Sequence, residues 1–383
     1  MPVLPQVIII GGGFAGLAAA RRLKHVACEV TLIDRFNHHV FQPLLYQVAT
    51  AGLSPGDIAS PIRWILRKQP RLRVLLATVE HIDSASKTIT LDGGDTLRYD
   101  YLIVAAGATH SYFGHDEWAT AAPGLKTLDD ALAIRRRLLI AFEEAERETN
   151  PVYQRRLLTY VLIGGGPTGV EMAGALGEIA RQALRSEFDN VDPAIARIIL
   201  VEAGPSILPA FPEDLRSSAR KALRRLGVEV RDGQPVTRVE DGAVWIGEER
   251  IDAHTILWAA GVAAAPISRD LGPTLDRAWR VIVEPDLSAP GHPGVFVAGD
   301  LASFYTRPAS RCLAWRRWPS SSAATPPPTS RDLSRGSPPP RSVTSTPGTW
   351  PPSGAMRPLR TSASCTCPAT QDGCSGSSST SCS

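Results

Sequence analysis

The chain is poor in cysteine wherever a fold would use it. Six cysteines occur in 383 residues, and only Cys28 precedes Cys312. That excludes a disulfide framework over the first three hundred residues and points to a reducing compartment. Cys365 and Cys367 stand close together, but no histidine or apolar core surrounds them, so no metal site is expected. A membrane-spanning run is also missing. Residues 3–20 are uncharged, yet no basic segment precedes them and three consecutive glycines interrupt them. A buried parallel strand running into a glycine-rich turn explains that stretch better than a signal sequence or a span. Lysine is absent beyond Pro308, where the only acids are Asp332 and Asp372. Eight arginines less two acids make that stretch +6, so the formal +3 leaves −3 for the rest. The positive balance belongs to the tail, and it is no argument for nucleic acid as a partner of the folded part.

What is present, up to about residue 303, is an alternation of short β-branched runs with helical patterns, as in βαβ units around a parallel sheet. Residues 7–10 read as a strand, 11–16 as a turn, 15–24 as a helix and 29–34 as the next strand. The order recurs from residue 160: a strand, a glycine turn, a helix over 169–184 and a strand at 197–204. This is the duplication of one supersecondary unit. Between the copies, residues 72–83 read as strand-like, 88–97 as a hairpin turning at Asp92-Gly93-Gly94, 99–108 as a strand and 127–149 as a solvated helix. Further strands are expected near 228, 243, 249, 254 and 294. Residues 186–195 lengthen the second copy and read as an insertion between its helix and strand.

Each copy carries the spacing that cradles a dinucleotide. Gly11, Gly13 and Gly16 follow a strand and open a helix, and Asp34 ends the next strand. The first glycine allows the tight turn, the second lets a pyrophosphate approach the backbone, and the third lets helix and strand pack closely. The unpaired amides at the helix start receive the phosphates, and Asp34 is placed to accept from ribose hydroxyls. Gly164, Gly166 and Gly169 repeat the pattern, with Glu202 at the end of the second strand. Ala203 and Gly204 follow without a basic group, which favours NADH over NADPH because the acid repels a 2′-phosphate. Two cradles imply two dinucleotides, one storing electrons and one donating hydride. Asp300 ends a late strand from which it can return to the first unit and bond a ribityl chain.

The blocks at 11–17, 38–55, 105–115, 164–174, 201–212, 258–262 and 295–302 resemble the flavin-dependent pyridine nucleotide-disulfide oxidoreductase superfamily. Within it the chain is similar to the type II NADH dehydrogenases, the non-proton-pumping NADH:quinone oxidoreductases. The likeness runs from about Val3 to Leu301, and HHVFQPLLYQVATAG is its family-specific element. It implies an α/β fold of two Rossmann-like domains, with FAD held by residues 1–112 and 265–303 and NADH by the inserted 113–264. It also implies that Gly11, Gly13, Gly16, Asp34 and Asp300 hold FAD. Val79 would contact adenine through its backbone, and Ala106 with Gly107 would line the pyrophosphate side. Pro43 and Leu44 would lie near the flavin ring. Gly164, Gly166, Gly169, Glu171, Glu202 and Gly261 would frame NADH, with Glu171 beside the nicotinamide. Read from the residues alone, Glu171 has the alternative of a first-turn helix acid and Pro43 and Leu44 that of plain core, while His38 and His39 read as loop or packing residues rather than ligands. The cysteine pair of the disulfide reductases is absent, so electrons are expected to leave the flavin directly for an acceptor. The resemblance implies a quinone partner, peripheral docking on the inner face of the cell membrane, and compatibility with a homodimer.

After Ser303 the resemblance stops. Back-translated and read two nucleotides out of frame, residues 312–330, 347–356 and 367–383 become compatible with the family's missing segments, in family order. We therefore expect a frameshift between about Phe304 and Pro308, and a tail over 304–383 too poor in apolar residues to fold. The parts covering the flavin's quinone side and docking on lipid would then be lost. That predicts an impaired quinone step and a cytoplasmic protein not bound to membrane. Two alternatives stay open: a soluble NADH-dependent reductase of ferredoxin, rubredoxin or oxygen, and an inactive nucleotide-binding remnant.

Overall fold

The computed structural model describes residues 3–272, 274–306 and 310–313. Two parallel sheets carry it. The first is five-stranded, in the order Val295–Val297, Tyr101–Val104, Gln6–Ile10, Glu29–Asp34, Leu72–Leu76. The second is four-stranded, in the order Thr255–Trp258, Thr159–Ile163, Arg197–Glu202, Val228–Asp232. Strand for strand, the second sheet repeats the last four of the first. In both, an inner strand is largely apolar, as suits a strand covered on two faces: Val7 to Ile10 are buried, and so is every residue of Thr159–Ile163.

The duplication extends to backbone hydrogen bonds. The amide of Gly11 donates to Ile33 O at 2.8 Å, and that of Gly164 to Val201 O at 2.7 Å. Likewise Ala105 N donates to Ile10 O, and Ala259 N to Ile163 O. Each sheet is flanked by a small antiparallel one, at Val79–Asp83/Thr88–Leu91/Thr96–Arg98 and at Val236–Glu240/Ala243–Ile246/Glu249–Asp252. The strand-like stretch 72–83 is thus two strands in two sheets. It breaks where Ala77 N donates to Asp34 O and Thr78 N to the Asp92 carboxylate.

Two helices match the expected positions, Phe14–Arg22 and Pro167–Glu178, the latter running on into a π turn at Ile179–Ala183. The long helix Leu128–Arg147 is amphipathic and opens on a capping box between Thr127 and Asp130. Such a box satisfies two amides that would otherwise be orphaned at the helix start. The insertion 186–195 is tied down by Glu146, whose carboxylate accepts the amides of Asp189, Asn190 and Val191. A short helix, Leu45–Ala49, carries no side-chain cap and buries Leu45, Val48 and Ala49. It packs into the core cluster that contains Ile134, Phe142 and Met172, so the early 38–55 block builds onto the second sheet's helical layer.

The strand pair Ala108–His110 and Val262–Ala264 runs antiparallel between the two halves. Beyond residue 303, regular structure continues: Ser303–Thr306 pairs with Ser310–Leu313, and Phe304 packs on the core around Leu301 and Ala302. The remainder of the tail, including Cys365 and Cys367 and the blocks on which the frameshift reading rests, lies outside the described residues. Among the described residues no helix is long and apolar enough to cross a membrane.

Candidate active site

Each glycine turn divides into positions that the protein itself requires and one that it does not. A Cβ on Gly16 would lie 1.8 Å from Gly11 O, and one on Gly169 would lie 1.9 Å from Gly164 O. Gly11 has φ +101° and faces Ala105 O, while Gly164 has φ +115° and faces Ala260 N. These four glycines are fixed by backbone conformation and packing. Gly13 and Gly166 differ. They cap the two helices with φ −73° and −72°, ordinary extended values, and a Cβ on either would meet nothing within 4 Å. Glycine is also a weaker N-cap than Ser, Asn or Asp. The folded chain has no use for glycine at 13 and 166, whereas a ligand lying against the backbone does.

The two distant acids sit alike. Asp34 Oδ2 accepts Gly12 N at 2.5 Å and Oδ1 accepts Phe36 N at 2.7 Å. Glu202 Oε2 accepts Gly165 N at 2.6 Å and Oε1 accepts Gly204 N at 2.7 Å. Each side chain thus accepts two backbone amides near its own turn, through one oxygen each, and keeps lone pairs for a sugar. His39 Nδ1 lies 3.1 Å from Gly12 O, and burial holds its imidazole below the ordinary histidine value. The ring is therefore a packing group that also lines the first cleft.

Two cavities adjoin the first turn. One of about 190 Å³ runs along Gly11–Ala15, past Asp34, Ala106 and Gly107, to Gly299 and Asp300. The other, of about 750 Å³, is a wider chamber walled by Pro43, Leu45, Tyr46, Thr168, Glu171 and Arg280, among others. Phe14, Gln42, Lys126 and Asp300 line both and form the neck between them. A narrow cleft along the glycine turn, opening into a chamber of about 750 Å³, suits an extended ligand such as a flavin dinucleotide whose ring lies in the chamber.

The expected residues fall into three groups. Gly11, Gly13, Asp34, Ala106, Gly107 and Asp300 line the cleft. Pro43 and Glu171 line the chamber, while Leu44 packs against the core and Leu45 takes the wall beside Pro43. Gly16, Val79, Gly164, Gly166, Gly169, Glu202 and Gly261 line neither. Val79 starts its strand and packs beside the core around Ile82. Gly261, at φ +80°, has Ser111 O and the Phe113 ring where a side chain would go. Glu171 keeps much of its surface open to solvent, and desolvation by the chamber walls raises its carboxyl above the ordinary glutamate value.

Sequence reasoning missed Lys126, Tyr46, Gln42 and Arg280. Lys126 sits in the segment just before a capping box, where a basic residue carries no periodic signal. It is held there by Asp130, whose Oδ2 accepts the amides of Lys126 at 3.0 Å and Thr127 at 2.8 Å. Burial alone would push the Asp130 carboxyl up; His110 beside it and these amides pull it down to about 2. His110 Nε2 is 3.8 Å away, beyond hydrogen-bond reach, so its contribution is charge when protonated and the amides carry the rest.

Tandem dinucleotide cradles joined by a shared ring chamber define the chain as a two-nucleotide oxidoreductase of the FAD/NAD(P)-binding fold. The sequence profile of the family described as pyridine nucleotide-disulphide oxidoreductase matches residues 5–324, and the chain belongs to that family. The type II NADH:quinone oxidoreductase Ndh of Mycobacterium tuberculosis is 47% identical over 310 residues, covering 78% of this chain and 67% of that protein. NdhA of the same organism is 48% identical over 309 residues, covering 77% and 66%. The NDH2 structure from Plasmodium falciparum in complex with NADH superposes with a TM-score of 0.73 at 23% identity. It covers 78% of this chain and 65% of that one, and at this identity the likeness concerns the fold. The chain therefore spans about two thirds of the length of these relatives.

Proposed function

We propose that this chain is an FAD-dependent NADH:quinone oxidoreductase, with FAD in the first cradle and NADH in the second. The observation that carries the reading is the pair of open glycines, Gly13 and Gly166, for which the folded chain has no need and a pyrophosphate does. In this reading residues 1–112 and 265–303 form the FAD domain, and 113–264 form the NADH domain inserted in it. When bound, the flavin supplies a ring that takes two electrons from NADH and passes them to an acceptor. The residues bind and align, and no nucleophile is required. Asp34 and Glu202 orient the two adenosine sugars, and Glu202 disfavours a 2′-phosphate by charge. Asp300 faces the chain that joins the flavin's phosphates to its ring. Pro43, Tyr46 and Thr168 wall the chamber so that the nicotinamide and the ring meet away from bulk water.

The acceptor half is less well provided. After Pro308 the sequence is rich in Ser, Pro and Arg. We place the protein in the cytoplasm, with quinone reduction the slower half-reaction. The test is the rate of NADH oxidation by the purified full chain with a short-chain quinone, then with ferredoxin, rubredoxin and oxygen. A quinone rate above those with the soluble carriers and oxygen supports the proposal. A rate carried by ferredoxin or rubredoxin instead overturns its acceptor.

A further inference from the structure

The neck between the two cavities holds two opposite charges that do not touch. Lys126 is half-buried there, yet among the described residues its ammonium has no acceptor within hydrogen-bond or ion-pair distance. Asp300, on the same neck, is near enough for its charge to act on Lys126 but makes no ion pair with it. Asp130 ties the Lys126 amide, and Asp300 rides a short 3-10 turn, Gly299–Leu301, after its strand. The other cation on the chamber wall is already committed, since Arg280 donates to Asp276 at 2.8 Å. Lys126 is therefore the cationic group at this position left for a ligand. The residue type fits that role. The chain has 41 basic residues, of which five are lysines (24, 68, 87, 126 and 221). A lysine offers a compact charge on a mobile stem that can reach toward a ligand in the neck.

Resting on the assignment of FAD to the first cradle, we propose that Lys126 is directed at the flavin ring and stabilises the negative charge the ring gains on two-electron reduction. A charge confined between low-dielectric walls acts more strongly than one in water, and a protein tunes a flavin by the charges placed beside its ring. Lys126 thus tilts the cofactor's equilibrium toward reduction, while Gly13 and the helix amides beside it carry most of the affinity.

The experiment equilibrates the purified full-length flavoprotein with a reference dye and reads the reduced fraction of each, for wild type, Lys126→Met and Lys126→Arg. The FAD dissociation constant is measured alongside. Lys126→Met is expected to shift the equilibrium at least tenfold toward oxidised flavin, about 30 mV for a two-electron couple. Lys126→Arg restores most of the shift, and FAD affinity changes less than about threefold. An equilibrium within twofold of wild type in Lys126→Met, at saturating FAD, overturns the proposal. If affinity falls while the equilibrium holds, the ammonium serves the pyrophosphate instead. Should Lys126→Met not fold, Lys126→Gln is read by the same criteria. A wild-type chain that binds no FAD would sink the functional reading itself, which separates the two failures.

Discussion

Alanine at Gly13 and alanine at Gly166 are the same perturbation applied to two cradles, and their effects should cross. Neither position has a neighbour within 4 Å of a new Cβ, and both backbones lie where alanine is unstrained. The protein without ligands should therefore keep its stability to within about 0.5 kcal/mol. Alanine even reduces the freedom of the unfolded chain, which favours the fold slightly. The cost falls on the ligand. A methyl group placed where a pyrophosphate contacts backbone is overpacking, worth about 1–3 kcal/mol, or roughly five- to hundred-fold in dissociation constant. Gly13→Ala should lose that factor for FAD, measured by flavin fluorescence on the deflavinated protein. Gly166→Ala should retain FAD and lose the factor for NAD+, measured by titration of the holoprotein. Gly16→Ala serves as the contrast: its Cβ would lie 1.8 Å from Gly11 O, so the unliganded protein itself should melt lower. If both open-glycine variants bind both nucleotides as tightly as wild type, or if the pattern is reversed, the argument from unused space is wrong.

Asp130→Asn should destabilise the protein by about 1–2 kcal/mol at neutral pH through loss of the charged half of its capping box. With a folded carboxyl near 2 against an ordinary 3.8, the Asp130 contribution is complete above about pH 4 and lost as pH falls through 2. Denaturant melts should therefore show the gap between variant and wild type closing at acid pH, and a gap constant from pH 7 to 2 would contradict this. For Glu171 the sign reverses. Its raised carboxyl holds a proton more tightly folded than unfolded, so the wild type loses stability as pH climbs above 4.5. Glu171→Gln should melt slightly higher than wild type at pH 7 and no higher at pH 4, and equal melting at both would refute it.

Much of this was legible because the signals were local. Glycine spacing, a preceding apolar strand and a terminal acid lie within one βαβ unit, and both units fold as their patterns indicate. Other parts escaped for identifiable reasons. The stretch 72–83 has one continuous strand composition, and what divides it is Asp34 O and the Asp92 carboxylate, both remote in sequence. Leu45–Ala49 is only five residues long and has no capping side chain, so nothing marks it as a helix. Glu213–Arg225 was overlooked although its ends carry signals, with Glu213 and Asp214 in the first turn and Arg224 and Arg225 in the last. Whether a wall residue faces the ring chamber depends on helix rotation. That is why Leu45, and not Leu44, stands beside Pro43 on the chamber wall. Lys126 has no motif, because its importance comes only from what surrounds it in space.

The central claim is that one chain seats an electron-storing ring and a hydride donor within reach of each other. Its most direct test is the visible spectrum of the purified full-length protein, recorded anaerobically before and after one equivalent of NADH. The account predicts a yellow flavin band that bleaches on addition. A colourless protein, or a flavin band that NADH leaves unchanged, would contradict it.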